Sequence, residues 1–253
     1  IMMGKKITYR ELDELVDRFA TALADLGLKK GDKVAIILPN MPQVVIASYA
    51  VFALGGVVVM NNPLYTESEL KHQLNDSEST ICICMDLLVP RVLKLKQTTG
   101  IETVIACHIL DYLPFPKKQL FPFVKKKMHR KTDPNEGVYD FLDLIKKYPP
   151  NPPPTEVSFH DLAALLYTGG TTGRSKGVML THANCCICVQ QLKAWLPDVV
   201  EGKESLLGTF PVFHTAGFTT GMNTAIYRGL TLILIPRPEP GTVLEMTRKF
   251  KPD

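Results

Sequence analysis

Residues 34–60 read VAIILPNMPQVVIASYAVFALGGVVVM, and no charged side chain occurs from Val34 to Thr66. The portion from Val44 to Met60 is so apolar that it approaches the ~17 residues at which a membrane-spanning helix becomes feasible. Its internal punctuation argues otherwise. Gly55-Gly56 divides it, Pro39 and Pro42 precede it, and the β-branched run Val57, Val58, Val59 follows the glycines. A buried strand over 34–38, a helix over 42–54, a Gly-Gly break and a second buried strand over 57–60 satisfy every one of these signals. Strands that apolar on both faces belong inside a parallel sheet covered by helices.

The same alternation extends outward in both directions. Thr8-Tyr9-Arg10-Glu11 has the form of a capping box, after which Leu12, Leu15, Phe19, Leu23 and Leu26 share one helical face until Gly27 stops the run. Thr66-Glu67-Ser68-Glu69 opens another capped helix, and short strands are expected at 80–84 and 103–107. Residues 110–154 break the rhythm with Pro, Lys and aromatic residues, carry one helix near 139–147, and end in the stiff connector Pro149-Pro150-Asn151-Pro152-Pro153-Pro154. Beyond it, strands are expected at 162–167, 177–181, 206–210 and 231–235, with helices over 183–195, 216–227 and from 243. The fold class is therefore α/β, with largely parallel sheets flanked by helices. Three regions follow: a first α/β part over 1–110, a basic, Pro-rich insert and linker over 111–154, and a loop-bearing part with the start of a further sheet over 155–253.

Composition narrows the class. With 45% hydrophobic and 21% charged residues the chain has ample core material for a globular protein. The net charge of +4 is local, because seven of the 29 Lys/Arg and none of the 25 Asp/Glu lie between Pro114 and Thr132. That patch lacks any nucleic-acid-binding motif or stacking pattern, so nucleic acid is not expected as a partner. The six cysteines (82, 84, 107, 185, 186 and 188) have neither a secreted disulfide framework nor zinc-site spacing. They read as small buried hydrophobes in a reducing cytosol, and no metal ligands are assigned. The chain opens directly in a polar helix start, so no signal peptide is read.

The chemistry is concentrated in Tyr167-Thr168-Gly169-Gly170-Thr171-Thr172-Gly173-Arg174-Ser175-Lys176-Gly177. Its glycines let backbone N–H groups approach an anion, Thr168, Thr171 and Thr172 add hydroxyl donors, and Lys176 adds a point charge. Such a loop suits phosphates. It is not a Walker A loop, since no glycine pair with four intervening residues leads directly to Lys-Ser/Thr, and the chain after Lys176 continues as a strand.

This run resembles the signature loop of the adenylate-forming superfamily, which includes acyl-CoA synthetases, luciferases and peptide-synthetase adenylation domains. The common form has Ser at Gly170 and often Pro at Ser175; Gly170 resembles the variant of fatty-acyl-CoA synthetases. Further blocks are similar in order: Ile7-Thr8-Tyr9 with Glu11-Leu12, Gly31-Asp32-Lys33-Val34-Ala35, Leu38-Pro39-Asn40, Asn62-Pro63-Leu64-Tyr65-Thr66, Leu74-Asn75-Asp76-Ser77 and Phe210-Pro211-Val212-Phe213-His214.

The resemblance implies ATP-dependent, AMP-forming activation of a long-chain fatty acid, with ATP, Mg²⁺ and coenzyme A taking part. It implies that residues 167–177 hold the phosphates, with Thr171 and Lys176 acting in catalysis, and that His214 stands near the acyl carboxylate with Phe218 as a gate. An aryl- or medium-chain-acid CoA ligase and a carrier-protein-loading adenylation domain remain as alternatives. It also implies an incomplete large N-terminal domain, inactive alone and with an apolar face uncovered. The adenine block, the ribose-binding aspartate, the hinge and the C-terminal domain would lie beyond residue 253. Phe213 and Trp195 read as core, and His182 as structural or capping. The expected location is cytoplasmic, with residues 114–131 making peripheral contact with anionic lipid at the inner face of the membrane.

Overall fold

The computed structural model describes residues 1–124, 129–169 and 174–252. Helix α1 (Tyr9–Asp25) starts at the expected capping box: the Glu11 N–H donates to the Thr8 hydroxyl, and the Thr8 N–H donates to the Glu11 carboxylate at 2.7 Å. Residues 34–60 then form strand β1 (Lys33–Ile37), helix α2 (Pro42–Ala53) and strand β2 (Val57–Met60), with β1 and β2 parallel. Gly55 takes φ 65°, the left-handed region that glycine enters without a Cβ penalty. A Cβ on Gly56 would stand 2.9 Å from Val51 Cγ1, so the pair allows α2 to turn abruptly into β2. Among the described residues no helix is long and apolar enough to cross a membrane.

The chain continues through α3 (Glu67–Asp76), β3 (Ile81–Met85), α4 (Val89–Lys96), β4 (Thr103–Cys107), α5 (Lys117–Val124), β5 (Tyr139–Asp140) and α6 (Phe141–Lys147). After the proline-rich connector come β6 (Leu162–Thr168), β7 (Lys176–Thr181) and α7 (His182–Trp195). One seven-stranded sheet results, in the order β5-β4-β3-β1-β2-β6-β7, with only the edge strand β7 antiparallel to its neighbour. Alternate residues serve opposite layers. Ala35, Ile37, Cys82 and Cys84 pack with Leu70, Leu74 and Val92 of α3 and α4. Val34, Ile36, Val58 and Ile83 pack with Phe19, Val44 and Phe141 of α1, α2 and α6.

A second, two-stranded parallel sheet pairs β8 (Ser205–Gly208) with β9 (Thr231–Leu234). Between them the π-wound segment Ala216–Asn223 runs into α8 (Thr224–Tyr227), and α9 (Pro240–Phe250) follows without burying a residue.

Several expectations need correction. Helix α4 was not expected; its Pro90 occupies the first turn, where a missing N–H costs nothing. Residues 139–147 add a strand and a helix to the main sheet, with the Phe141 ring 4.5 Å from Phe19. Cys82, Cys84 and Cys107 are buried in the sheet as expected, whereas Cys186 and Cys188 are exposed on α7. Trp195 is not core but 83% exposed, at the end of a helix that buries only Val189.

Candidate functional site

Strands β6 and β7 form a hairpin whose last registered pair sets Thr168 opposite Lys176, with Tyr167 opposite Gly177. The turn beyond them lies past the carboxyl end of β6, the end at which open α/β sheets bind ligands. Gly170, Thr171, Thr172 and Gly173 lie outside the described residues. Thr168, Gly169, Arg174 and Lys176 are exposed around that turn, and among the described residues Lys176 has no paired group.

Helix α3 holds the hairpin from beneath. The Tyr167 hydroxyl donates to the Asp76 carboxylate at 2.7 Å and to the Gln73 carbonyl at 3.3 Å. Burial, reinforced by that carboxylate, holds the phenol above its ordinary pKa. Tyr167 therefore ties the end of β6 to α3 as a hydrogen-bond donor. On the other strand, the Ser175 carbonyl lies 2.9 Å from His72 Nε2, and the Ser175 hydroxyl accepts from Gln73 Nε2 at 3.2 Å. Gln73 is fully buried, and its Oε1 accepts from Asn61 Nδ2 at 2.7 Å. Asn61 directly follows β2, so the sheet core fixes Gln73, which in turn holds Ser175 directly before β7. A cleft of about 630 Å³ opens here, lined by Tyr65, Glu69, Lys71, His72, Gly169 and Arg174 among others.

The second expected element is the loop 208–214. Asn40, 3% exposed at the end of β1, satisfies it from within. Its Nδ2 donates to the carbonyls of Gly208 at 3.0 Å and Phe210 at 2.8 Å, and its Oδ1 accepts from the Val212 N–H at 2.8 Å. His214 is exposed at the end of this loop, with its N–H donating to the Pro211 carbonyl and its Nδ1 accepting from the Ala216 N–H. Phe213 is half-buried and lines an apolar cleft of about 440 Å³ together with Pro39, Pro63, Leu64 and Pro211.

Phe218 is placed differently from the expectation. It is 0% exposed and stands edge-on to Phe52 at 6.4 Å, in the core beneath α2. The π-wound turn carries it inward, because Gly217 passes so close to the Pro211 carbonyl that a Cβ there would lie 2.0 Å from its oxygen. His182 opens α7 inside the Thr181–Asn184 capping box, its ring edge-on to Phe52, and burial lowers its pKa.

The segment after β2 links both elements: Asn61 reaches toward Ser175 through Gln73, while Pro63 and Leu64 line the cleft beside Phe213. Asn40, Asn61 and Gln73 were given no role from sequence. The available signal was confined to Asn61, an amide side chain placed directly after the wholly apolar strand β2; Asn40 lies three residues past β1 and Gln73 within α3. The burial that gives it meaning depends on distant segments.

A largely parallel α/β sheet with an exposed hairpin at the carboxyl end of β6 belongs to the open α/β class, which binds ligands at that end of its strands. Over residues 1–253 the chain matches the family described as AMP-binding enzyme, and it belongs to that family. It is 42% identical to a long-chain-fatty-acid–CoA ligase of Bacillus subtilis (strain 168), over 98% of this chain and 45% of the relative. It is 37% identical to the ligase of the same name from Salmonella typhimurium, over 98% of this chain and 46% of the relative. The chain thus spans about half the length of the curated relatives it matches. A solved structure of a long-chain-fatty-acid-CoA ligase from Archaeoglobus fulgidus shares the fold with a TM-score of 0.81 at 24% identity, covering 100% of this chain and 46% of that one.

Proposed function

We propose that the whole protein carrying this chain activates a long-chain fatty acid with ATP and then transfers the acyl group to coenzyme A. In the first step a carboxylate oxygen attacks the α-phosphorus of ATP, and pyrophosphate leaves. In the second the thiol of coenzyme A attacks the acyl carbon, and AMP leaves. The observation that carries this reading is the hairpin mouth, where Thr168 faces Lys176 on a support made by Gln73, His72 and Asp76.

The first step brings two anions together, so fixed donors and cations at the phosphates contribute most. Lys176 supplies the charge, Thr168, Thr171 and Thr172 supply hydroxyls, and the glycines bring backbone N–H groups close. Arg174, exposed beside the cleft, adds a second cation. Mg²⁺ would arrive with the triphosphate. Beside the described part of the loop Glu69 is engaged in its own capping box and Asp76 with Tyr167, so these residues form no ready ligand set for the ion and no step is assigned to it. His214, exposed at the end of its loop, would meet the acyl carboxylate as a donor; Phe218 is assigned no gating role.

Basic residues 114–131 fit peripheral docking to anionic lipid, the environment of the acyl substrate. Phe115 is 79% exposed and Leu120 56% exposed beside exposed Lys117 and Lys118. Pyrophosphate exchange by the whole protein, assayed against carboxylic acids of graded chain length and against aryl acids, tests the main reading. Exchange should rise with long aliphatic chains. Exchange confined to aryl or short acids would replace the substrate class, and its absence with every acid would remove the activity.

A further inference from the structure

On the far side of the sheet from the hairpin, three side chains converge that the reaction above does not use. Asp86 directly follows β3, His108 directly follows β4, and His129 comes from the basic segment. Asp86 is 1% exposed, and its Oδ2 lies 3.0 Å from His108 Nδ1 and 3.2 Å from His129 Nδ1. All three donor atoms fall within 4.8 Å of one another. In a tetrahedral zinc site with bonds of about 2.0–2.1 Å, neighbouring donors stand about 3.3 Å apart, so the two edges at Asp86 would open by only tenths of an ångström and the edge between the two imidazoles would come to the same length.

The surroundings favour a cation. His108 Nε2, the nitrogen turned away from Asp86, lies 3.1 Å from Asp140 Oδ2 and 3.0 Å from Thr132 Oγ1. A carboxylate behind a ligating imidazole fixes its tautomer and raises its basicity. Asp111 adds a third carboxylate, accepting from the His108 N–H and from Gln43. The Arg130 guanidinium pairs with Glu136, and only its backbone N–H reaches Asp86, at 2.7 Å. With the carboxylates of Asp86, Asp140 and Asp111 gathered around the two imidazoles, the place suits a cation. Two imidazoles and one carboxylate suit Zn²⁺ better than Mg²⁺, which prefers oxygen ligands.

We propose that Asp86, His108 and His129 bind one Zn²⁺-class ion, with Asp140 orienting His108 from behind, and that this ion clamps the end of the basic segment onto the carboxyl ends of β3 and β4. The site is distinct from the hairpin, since β1 and β2 separate β3 from β6 in the sheet.

The test strips the whole protein with chelator and titrates it with Zn²⁺ and, separately, with Co²⁺ as a spectroscopic probe. One ion per chain is expected, with a Co²⁺ spectrum of nitrogen and oxygen ligands lacking thiolate charge transfer. His129→Gln, at a half-buried position that the core does not need, should weaken binding at least tenfold with an unchanged circular dichroism spectrum. Asp140→Asn should weaken it about 10–100-fold, the usual effect of losing such a support. No stoichiometric ion, binding indifferent to His129→Gln, or a thiolate band removed by Cys186→Ser and Cys188→Ser would each overturn the proposal.

Discussion

Lys176 stands exposed at the hairpin mouth, and its neighbours are already committed: Tyr167 to Asp76, and Ser175 to His72 and Gln73. Its charge is therefore available to phosphate. Replacing Lys176 with Ala in the whole protein should lower the pyrophosphate-exchange rate by about 100-fold or more, the scale of losing one preorganised donor. Unaltered exchange would remove the role. His108 gives a second residue-scale prediction. Its folded pKa of about 10 lies above the ordinary 6.5, so the stability it contributes is complete below pH 6.5 and disappears as pH rises through 10. Asp140 acts with the opposite sign: although burial would raise its pKa, its bond to His108 holds it below the ordinary carboxylate value, so its contribution is lost as pH falls into the acid range. In chelator, the melting temperature should decline between pH 7 and 10, and His108→Gln should flatten that decline. An equally steep decline in the variant would place its cause elsewhere.

At the scale of elements, amide side chains at strand ends organise the loops. Asn40 satisfies two carbonyls and one N–H of the segment leading to His214. Leaving those groups unpaired in a buried setting costs about 1–3 kcal/mol. Asn40→Ala should therefore lower the urea midpoint of the whole protein and, by loosening the loop, lower exchange activity as well. A midpoint equal to that of the unchanged protein would show that water or a rearranged loop replaces the amide. Most elements were legible because each carries a local signal: the capping boxes at Thr8 and Thr66, the Gly55-Gly56 break, and the uninterrupted apolar strands. Helix α4 was missed because Pro90 reads as a breaker unless its place in the first turn is known. The π-winding of Ala216–Asn223 was missed because it depends on the contact between Gly217 and the Pro211 carbonyl rather than on any local preference.

For the whole molecule, the basic segment gives the testable consequence. Each Lys or Arg near an anionic bilayer contributes about 1 kcal/mol, and exposed Phe115 and Leu120 can add apolar contact. Vesicle sedimentation should show binding to anionic lipid that weakens with salt and with replacement of Lys117 and Lys118 by Gln; equal binding to neutral vesicles would refute an electrostatic contact. The sequence by itself determined the α/β class, the parallel core over residues 34–60 and the glycine- and threonine-rich stretch between β6 and β7, because hydrophobic periodicity, caps and glycines act between neighbours in the chain. Only the tertiary structure decided which residues surround that loop. It brought Gln73 under Ser175 across 102 positions, turned Phe218 into the core, and gathered Asp86, His108 and His129 although 22 and 43 positions separate them from Asp86. The reason is topological: a parallel sheet aligns the carboxyl ends of strands that are remote in sequence, and no pattern within a single segment records which ends become neighbours.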